Sequence, residues 1–327
     1  MTMNDIQTYA NTARFRRALQ IPEAEPLEFS LLGQGEYNRN YLFTHPVTGQ
    51  KLVLRKTTGS QMHLADQIGY EYGALEVLRS SGRTPGPVYL DSEAGILVEE
   101  FLPGRPMAYC EDLSAVAECL ARIHDTPIPP NCPLLAPEDP IAAMLAECRE
   151  MAACYFRSPL ADPRTTELLQ TLLERAEQRP GKTEPLPKCI LNTELNSGNF
   201  LVDEAGTVFL VDWEKPILGE AAQDLGHFLA PTTTCWKTDV VLSEQEKLEF
   251  LKHYHASGAH PVPLEQLVAR TGEYEAMNCL RGVTWSAMAW VEYQDPDRPI
   301  RNPQTFQKIR SYLHADFLEG LLTRYFA

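Results

Sequence analysis

The feature that most constrains this chain is a change of pattern near residue 102. Before it, short runs of β-type residues alternate with turns; after it, nearly every long apolar pattern has helical spacing. A helix-like stretch, Ile6 to Leu19, opens the chain and ends before Pro22. Phe29 to Leu32, Asn40 to Thr44 and Lys51 to Lys56 then read as strands, separated by Gly33 and Gly35 and by the turn Pro46-Val47-Thr48-Gly49. Ala65 to Arg79 reads as a helix, because Ile68, Tyr72, Leu75 and Leu78 recur at spacings of three and four. Two more strands, Val88 to Leu90 and Gly95 to Phe101, flank a turn and stop at Leu102-Pro103-Gly104.

Beyond that point Leu113, Val116, Ala117, Leu120 and Ile123 form an apolar stripe closed by Pro127. Further helices are expected at Ile141 to Phe156, Thr165 to Gln178, Ser243 to Ser257, Leu264 to Val291 and Pro303 to Tyr325. One β interlude interrupts them, at Ile190-Leu191, Phe200 to Val202 and Val208 to Val211. A chain of 327 residues exceeds the ~250–300 at which a single core stops growing. The expectation is an α+β fold in two lobes: a small β-rich lobe with one helix, residues 1–101, and a larger, mostly helical lobe, residues 102–327.

Composition excludes several classes of function. The 44% hydrophobic share is too high for a disordered chain, and no apolar run approaches the ~20 residues that span a bilayer. The N-terminus lacks the apolar core of a secretion signal, and eight scattered cysteines without a Cys-x-x-Cys pair read as reduced thiols in a cytoplasmic protein. A net charge of −15 argues against a nucleic-acid partner. The charge is uneven: residues 1–105 carry 10 basic and 12 acidic side chains, and the remainder 19 and 32, a net of −13. Such acidity serves solubility, or it draws a cation to a site in the second lobe.

The β interlude holds the densest set of polar residues in an apolar setting: Asn192, Glu194, Asn196, Asn199, Asp212 and Glu214 between hydrophobic strands. Oxygen-bearing side chains on rigid supports suit Mg²⁺, which takes few protein ligands and leaves room for phosphates. Phosphoryl transfer needs a carboxylate to orient the attacking hydroxyl, and an Asn with an Asp to hold metal against the phosphates.

These residues resemble the aminoglycoside phosphotransferase and choline kinase superfamily, whose fold is similar to that of protein kinases. The family's catalytic segment runs His-x-Asp-(Leu/Phe)-x-x-x-Asn, then Ile/Leu-Asp-Trp/Phe-Glu and a later Asp-Leu. This chain has Asn192-x-Glu194-Leu195-x-x-x-Asn199, then Val211-Asp212-Trp213-Glu214, then Asp224-Leu225. The resemblance runs from about Leu27 to Tyr325. It implies that Asn199 and Asp212 hold the metal, that Asp224 buttresses the catalytic loop, and that Glu194 takes the place of the catalytic Asp and Asn192 that of the His. Asn192 can donate and accept but cannot titrate near neutrality. Glu194 keeps the carboxylate and adds one methylene, a displacement of ~1 Å that costs ~10²-fold in a site built for Asp.

In the first lobe, Gly33-Gln34-Gly35-Glu36-Tyr37-Asn38 resembles the family's turn over the nucleotide phosphates. Gly33 and Gly35 permit close backbone approach and φ > 0, and Asn38 is the family's turn asparagine. A Gly-x-Gly alone is a hairpin signal; its position before Leu52-Val53-Leu54-Arg55 gives it weight. The resemblance makes Arg55 the contact to the α/β phosphates and Glu71 the helix carboxylate that orients it, with Lys56 on the opposite strand face. It makes Glu99-Glu100-Phe101 the hinge that meets adenine.

Trp285, Trp290, Glu292 and Tyr293 fall where the family binds its acceptor; they form either an ammonium site or ordinary helix packing, as does Trp236. His253, His255 and His260 read as solvated. The implied activity is transfer of phosphate from ATP or GTP, with Mg²⁺, to a hydroxyl of a small cationic or amine-bearing molecule, with no nucleic-acid or membrane partner. The altered Asn192/Glu194 pair leaves two alternatives: a catalytically silent nucleotide-binding regulator, and a kinase-fold enzyme that transfers AMP.

Overall fold

The computed structural model describes residues 3–35, 38–60, 62–178, 183–258, 262–296 and 302–327. Glu36 and Tyr37 of the glycine turn, and His260, lie outside the described residues. The first lobe carries an antiparallel sheet of β1 (Ser30–Gln34), β2 (Asn38–Thr44), β3 (Lys51–Thr57), β4 (Pro87–Asp91) and β5 (Ile96–Glu100), in the order β1-β2-β3-β5-β4. The β2–β3 hairpin closes through Gly49 at φ +73°, a conformation only glycine adopts without strain.

Alternation along the strands sorts the side chains into two cores. Leu52, Leu54, Ile96 and Val98 face a small core completed by Ile6, Phe15, Tyr41 and Phe43. Leu97 points the other way, with Ile68 and Leu75 of α3 (Gln67–Leu78), into the large core that continues through the second lobe. The expected opening helix is instead two, α1 (Met3–Ala10) and α2 (Ala13–Ala18), because Thr12 turns extended and caps the second by accepting the Phe15 N–H.

Past the sheet, β6 (Arg105–Pro106) pairs with β8 (Phe200–Val202), which forms a hairpin with β9 (Val208–Leu210). Strand β7 (Lys188–Leu191) pairs antiparallel with β10 (Ile217–Glu220), a strand that sequence pattern does not reveal. The helices are α4 (Leu113–His124), α5 (Pro140–Phe156), α6 (Pro163–Gln178), α7 (Ala221–Leu229), α8 (Pro231–Lys237), α9 (Glu244–Ser257), α10 (Leu264–Glu292), α11 (Pro303–Tyr312) and α12 (Ala315–Tyr325). The single terminal helix expected from Pro303 to Tyr325 is broken by an extended His314. Helix α10 is the spine of this lobe; Gly226 of α7 sits so close that an added Cβ would lie 2.6 Å from the Glu275 amide nitrogen. No described helix is long and apolar enough to cross a membrane.

Candidate active site

The loop between β7 and β8 is built on one buried carboxylate. Asp224, fully buried on α7, accepts the backbone N–H groups of Asn192 and Thr193, each at 2.9 Å, and meets His124 Nε2 at 3.4 Å. His124 in turn pairs with Tyr254 at 2.9 Å. With its N–H groups so fixed, the loop holds Thr193 at φ +67°, a left-handed conformation rare for a β-branched residue, and the Thr193 hydroxyl donates to the Lys215 carbonyl. Asp212 is likewise left-handed, at φ +65°.

Asn192 joins these two strained positions. Its amide donates to the Asp212 carbonyl at 2.9 Å while its Oδ1 accepts the Glu194 N–H at 3.0 Å. Being fully buried, it does the structural half of what a His could do there. Asn199 donates Nδ2 to the Glu194 carbonyl at 2.8 Å, and its own carbonyl accepts from Val211, which sets it beside Asp212. Asn192, Glu194, Asn199 and Asp212 are thus tied into one hydrogen-bonded loop.

Across from them, Arg55 on β3 is almost fully buried and pairs with Glu71 of α3 at 2.9 Å. It also reaches Asp212 at 2.8 Å and Glu214 at 3.5 Å. Burial works against its charge, but Glu71, Asp212, Glu214 and Glu99 together hold its pKa above the ordinary value. The carboxylates respond in kind. Burial pushes Glu71 and Glu99 up to about 7 against the pull of Arg55, and burial with the neighbouring Asp212 pushes Glu214 to about 7. Lys56 points away and donates to the Ala94 carbonyl.

Asn38 is buried and donates to Glu214 Oε2 at 2.9 Å. Gln67 of α3 donates to the Glu214 carbonyl at 2.6 Å, so Glu214 fastens three elements of the first lobe to the second. Gly35 closes its turn through an N–H bond to the Asn38 carbonyl, and an added Cβ there would press on the Asn38 side chain at 3.1 Å. Neither Gly33 nor Gly35 takes a positive φ, and nothing lies within 4 Å of a Cβ at Gly33. Phe101 stays with the sheet through its N–H bond to Lys51.

The Glu194 carboxylate pairs with Lys215 at 2.8 Å. Burial pushes its pKa up, but Lys215 and Arg281 outweigh that and hold it below the usual carboxylate range. Lys215 directly follows Trp213-Glu214 and carries no periodic or motif signal, which is why the sequence does not expose it. Beside this pair is a cavity of about 210 Å³, lined among others by Glu147, Thr193, Lys215, Gln223, His227 and Arg281. Trp285 and Trp290 do not line it; they pack edge-on against Trp236 and Tyr155, at 5.4 Å in each case.

A loop carboxylate, an Asn/Asp pair and a buried Arg–Glu pair thus lie between a small antiparallel sheet and a helical lobe. The model of the phosphotransferase enzyme family (APH) matches residues 28–241, well over half the chain. The chain belongs to this family. Its fold is similar to a choline/ethanolamine kinase family protein from Mesorhizobium loti, with a TM-score of 0.64 at 17% identity, covering 98% of this chain and 95% of that one. It is similar to an ethanolamine kinase from Plasmodium vivax, with a TM-score of 0.66 at 14% identity over 98% and 88% of the two chains. It is similar too to a spectinomycin phosphotransferase, APH(9)-Ia, solved with ADP and spectinomycin, with a TM-score of 0.61 at 14% identity over 92% and 93%. No curated protein sequence matches it. The superfamily read from the motifs, and its bilobal kinase-like fold, are therefore those of this chain.

Proposed function

We propose that the protein transfers the terminal phosphate of ATP or GTP to a hydroxyl of a small molecule, with the division between lobes at residues 101 and 102 as the nucleotide hinge. The observation that carries this reading is the convergence of Glu194, Asn199 and Asp212 on one braced loop, opposite the Arg55–Glu71 pair. Phosphoryl transfer asks for positioning and charge stabilisation more than for covalent chemistry, and this arrangement supplies both.

The donor set fits Mg²⁺. Asn199 commits its Nδ2 to the loop and keeps Oδ1 available, while Asp212 shares Oδ1 with Arg55 and keeps Oδ2. Among the described residues no three His, Cys, Asp or Glu side chains form a metal site unaided, which suits an ion completed by phosphate oxygens. Bound there, Mg²⁺ would neutralise phosphate charge. Arg55, steadied by Glu71, would hold the phosphates; Glu194, ionised at neutral pH, would accept a hydrogen bond from the acceptor hydroxyl and then its proton. The Glu99–Phe101 backbone would meet the base.

A cationic or amine-bearing acceptor draws support from the solved relatives named for choline, ethanolamine and spectinomycin, and from the net −13 of residues 106–327. The second reading, a silent nucleotide binder, rests on the Lys215–Glu194 pair, which weakens Glu194 as a base. Thermal melts with nucleotide, with and without Mg²⁺, test what both readings share. A ligand at ~100 times its Kd stabilises by ~2.7 kcal/mol. A Mg²⁺-dependent rise in Tm in the wild type that is lost in Asp212→Ala is expected; no rise with any nucleotide overturns both.

A further inference from the structure

We propose that the cavity beside Glu194 is a subsite for a small hydroxylated oxyanion, so that the acceptor carries a carboxylate or phosphate ester near the hydroxyl that is phosphorylated. The inference rests on the phosphotransferase reading and replaces the cationic acceptor suggested by the solved relatives and the lobe's overall charge with an anionic one. Its first support is the presence of two cations on the wall. The second lobe is strongly acidic, yet Lys215, paired with Glu194, and Arg281, paired with Glu147, both line this cavity. Arg281 meets Glu147 through Nε at 2.9 Å and Nη2 at 3.3 Å, which leaves Nη1 uncommitted in that pair. A guanidinium edge is the group best shaped for an oxyanion.

The second support is two buried polar atoms without partners, Gln223 Oε1 and His227 Nδ1, on side chains that line the same cavity. Gln223 is only 8% exposed, and a buried acceptor left unpaired is costly. Small side-chain rotations toward the cavity would let hydroxyl groups of a bound acceptor satisfy both atoms. Burial and the nearby Arg281 push His227 down to about 4, so it is a neutral partner at physiological pH.

The third support is the wall chemistry. No Phe, Tyr or Trp is among the described residues lining the cavity, whereas a quaternary ammonium is held by aromatic faces. A volume of about 210 Å³ is below the ~300–1,000 Å³ of common ligand pockets and suits a compact acceptor.

The test is ADP release by the full chain with matched acceptors: glycerate and gluconate for carboxylates, glycerol 3-phosphate and glucose 6-phosphate for phosphate esters, glycerol and glucose as neutral counterparts, and choline, ethanolamine and spectinomycin as cations. One of the two oxyanion arms should exceed its neutral counterparts by ~10-fold or more in kcat/KM, and which arm wins identifies the group. Arg281→Gln should raise KM for that arm by ~10- to 100-fold, as loss of a charge-assisted hydrogen bond does, while KM for the neutral counterparts and the nucleotide-induced Tm rise are retained. Arg281→Lys, which keeps the charge, should recover part of the loss. Preference for the cations, turnover of no oxyanion, or an unchanged KM in Arg281→Gln overturns the subsite. Preference for the cations with a normal nucleotide shift leaves the phosphotransferase reading standing; absence of any nucleotide shift removes that reading itself.

Discussion

Glu194 is longer by one methylene than the residue its family places there, and the structure gives that length a context. Its carboxylate reaches Lys215 at 2.8 Å, and the Lys215 carbonyl is itself bound by the Thr193 hydroxyl of the same loop. Because Lys215 lowers the pKa of Glu194, its removal should raise it. In Lys215→Met the acid limb of the kcat–pH profile should move to higher pH, while a role in folding alone would lower Tm and leave the limb in place. The charged partner is what a sequence hides: Glu194 is conspicuous within its motif, but Lys215 becomes visible only when the chain folds back on the loop. Arg55 and Glu71, by contrast, are legible from strand alternation and the resemblance together, though the reach of Arg55 to Asp212 and Glu214 is not.

Glu214 links elements rather than residues, since Asn38 of β2, Arg55 of β3 and Gln67 of α3 all bind it. Its carboxyl sits at about 7, above the ordinary ~4.3, so the folded chain keeps a proton that the unfolded chain releases. Stability from this group is therefore present below about pH 4 and lost as pH rises to about 7. Glu71 and Glu99 act in the same sense. The Tm of Glu214→Gln should gain on the wild type between about pH 5 and pH 8; a constant difference would contradict the shift. Gly226 makes a second, steric prediction. A methyl group there meets the backbone of α10 at Glu275, Tyr274 and Thr271, all within 2.9 Å, and backbone cannot rotate away. Gly226→Ala should cost about 1–3 kcal/mol in denaturant unfolding. Helices with clean apolar stripes, such as α4, are readable in advance. Strand β10 and helices α7 and α8 are not, because at four, nine and seven residues they are too short for a period to show.

The molecule as a whole has two cores, one on each face of the first-lobe sheet, and a charged seam where the lobes meet. The small core belongs to the sheet and the opening helices, and the large one runs from the far face of the sheet through α10. The order of strands followed by helices makes the two lobes legible in the sequence, because each keeps its own periodicity, whereas the large core that crosses between them is not. The wall of the cavity beside Glu194 is not legible, because Lys215, His227 and Arg281 are scattered over 67 positions of an acidic lobe. In the proposed function Glu194 acts on an acceptor. Acceptor-dependent ADP release measured for the wild type and for Glu194→Gln, on the best acceptor found, tests this most directly. A fall of ~10²–10⁴ in kcat is expected, the worth of a positioned general base, with the nucleotide-induced Tm rise intact. Equal rates for the two proteins, or a faster Asn192→His/Glu194→Asp double variant, would contradict it.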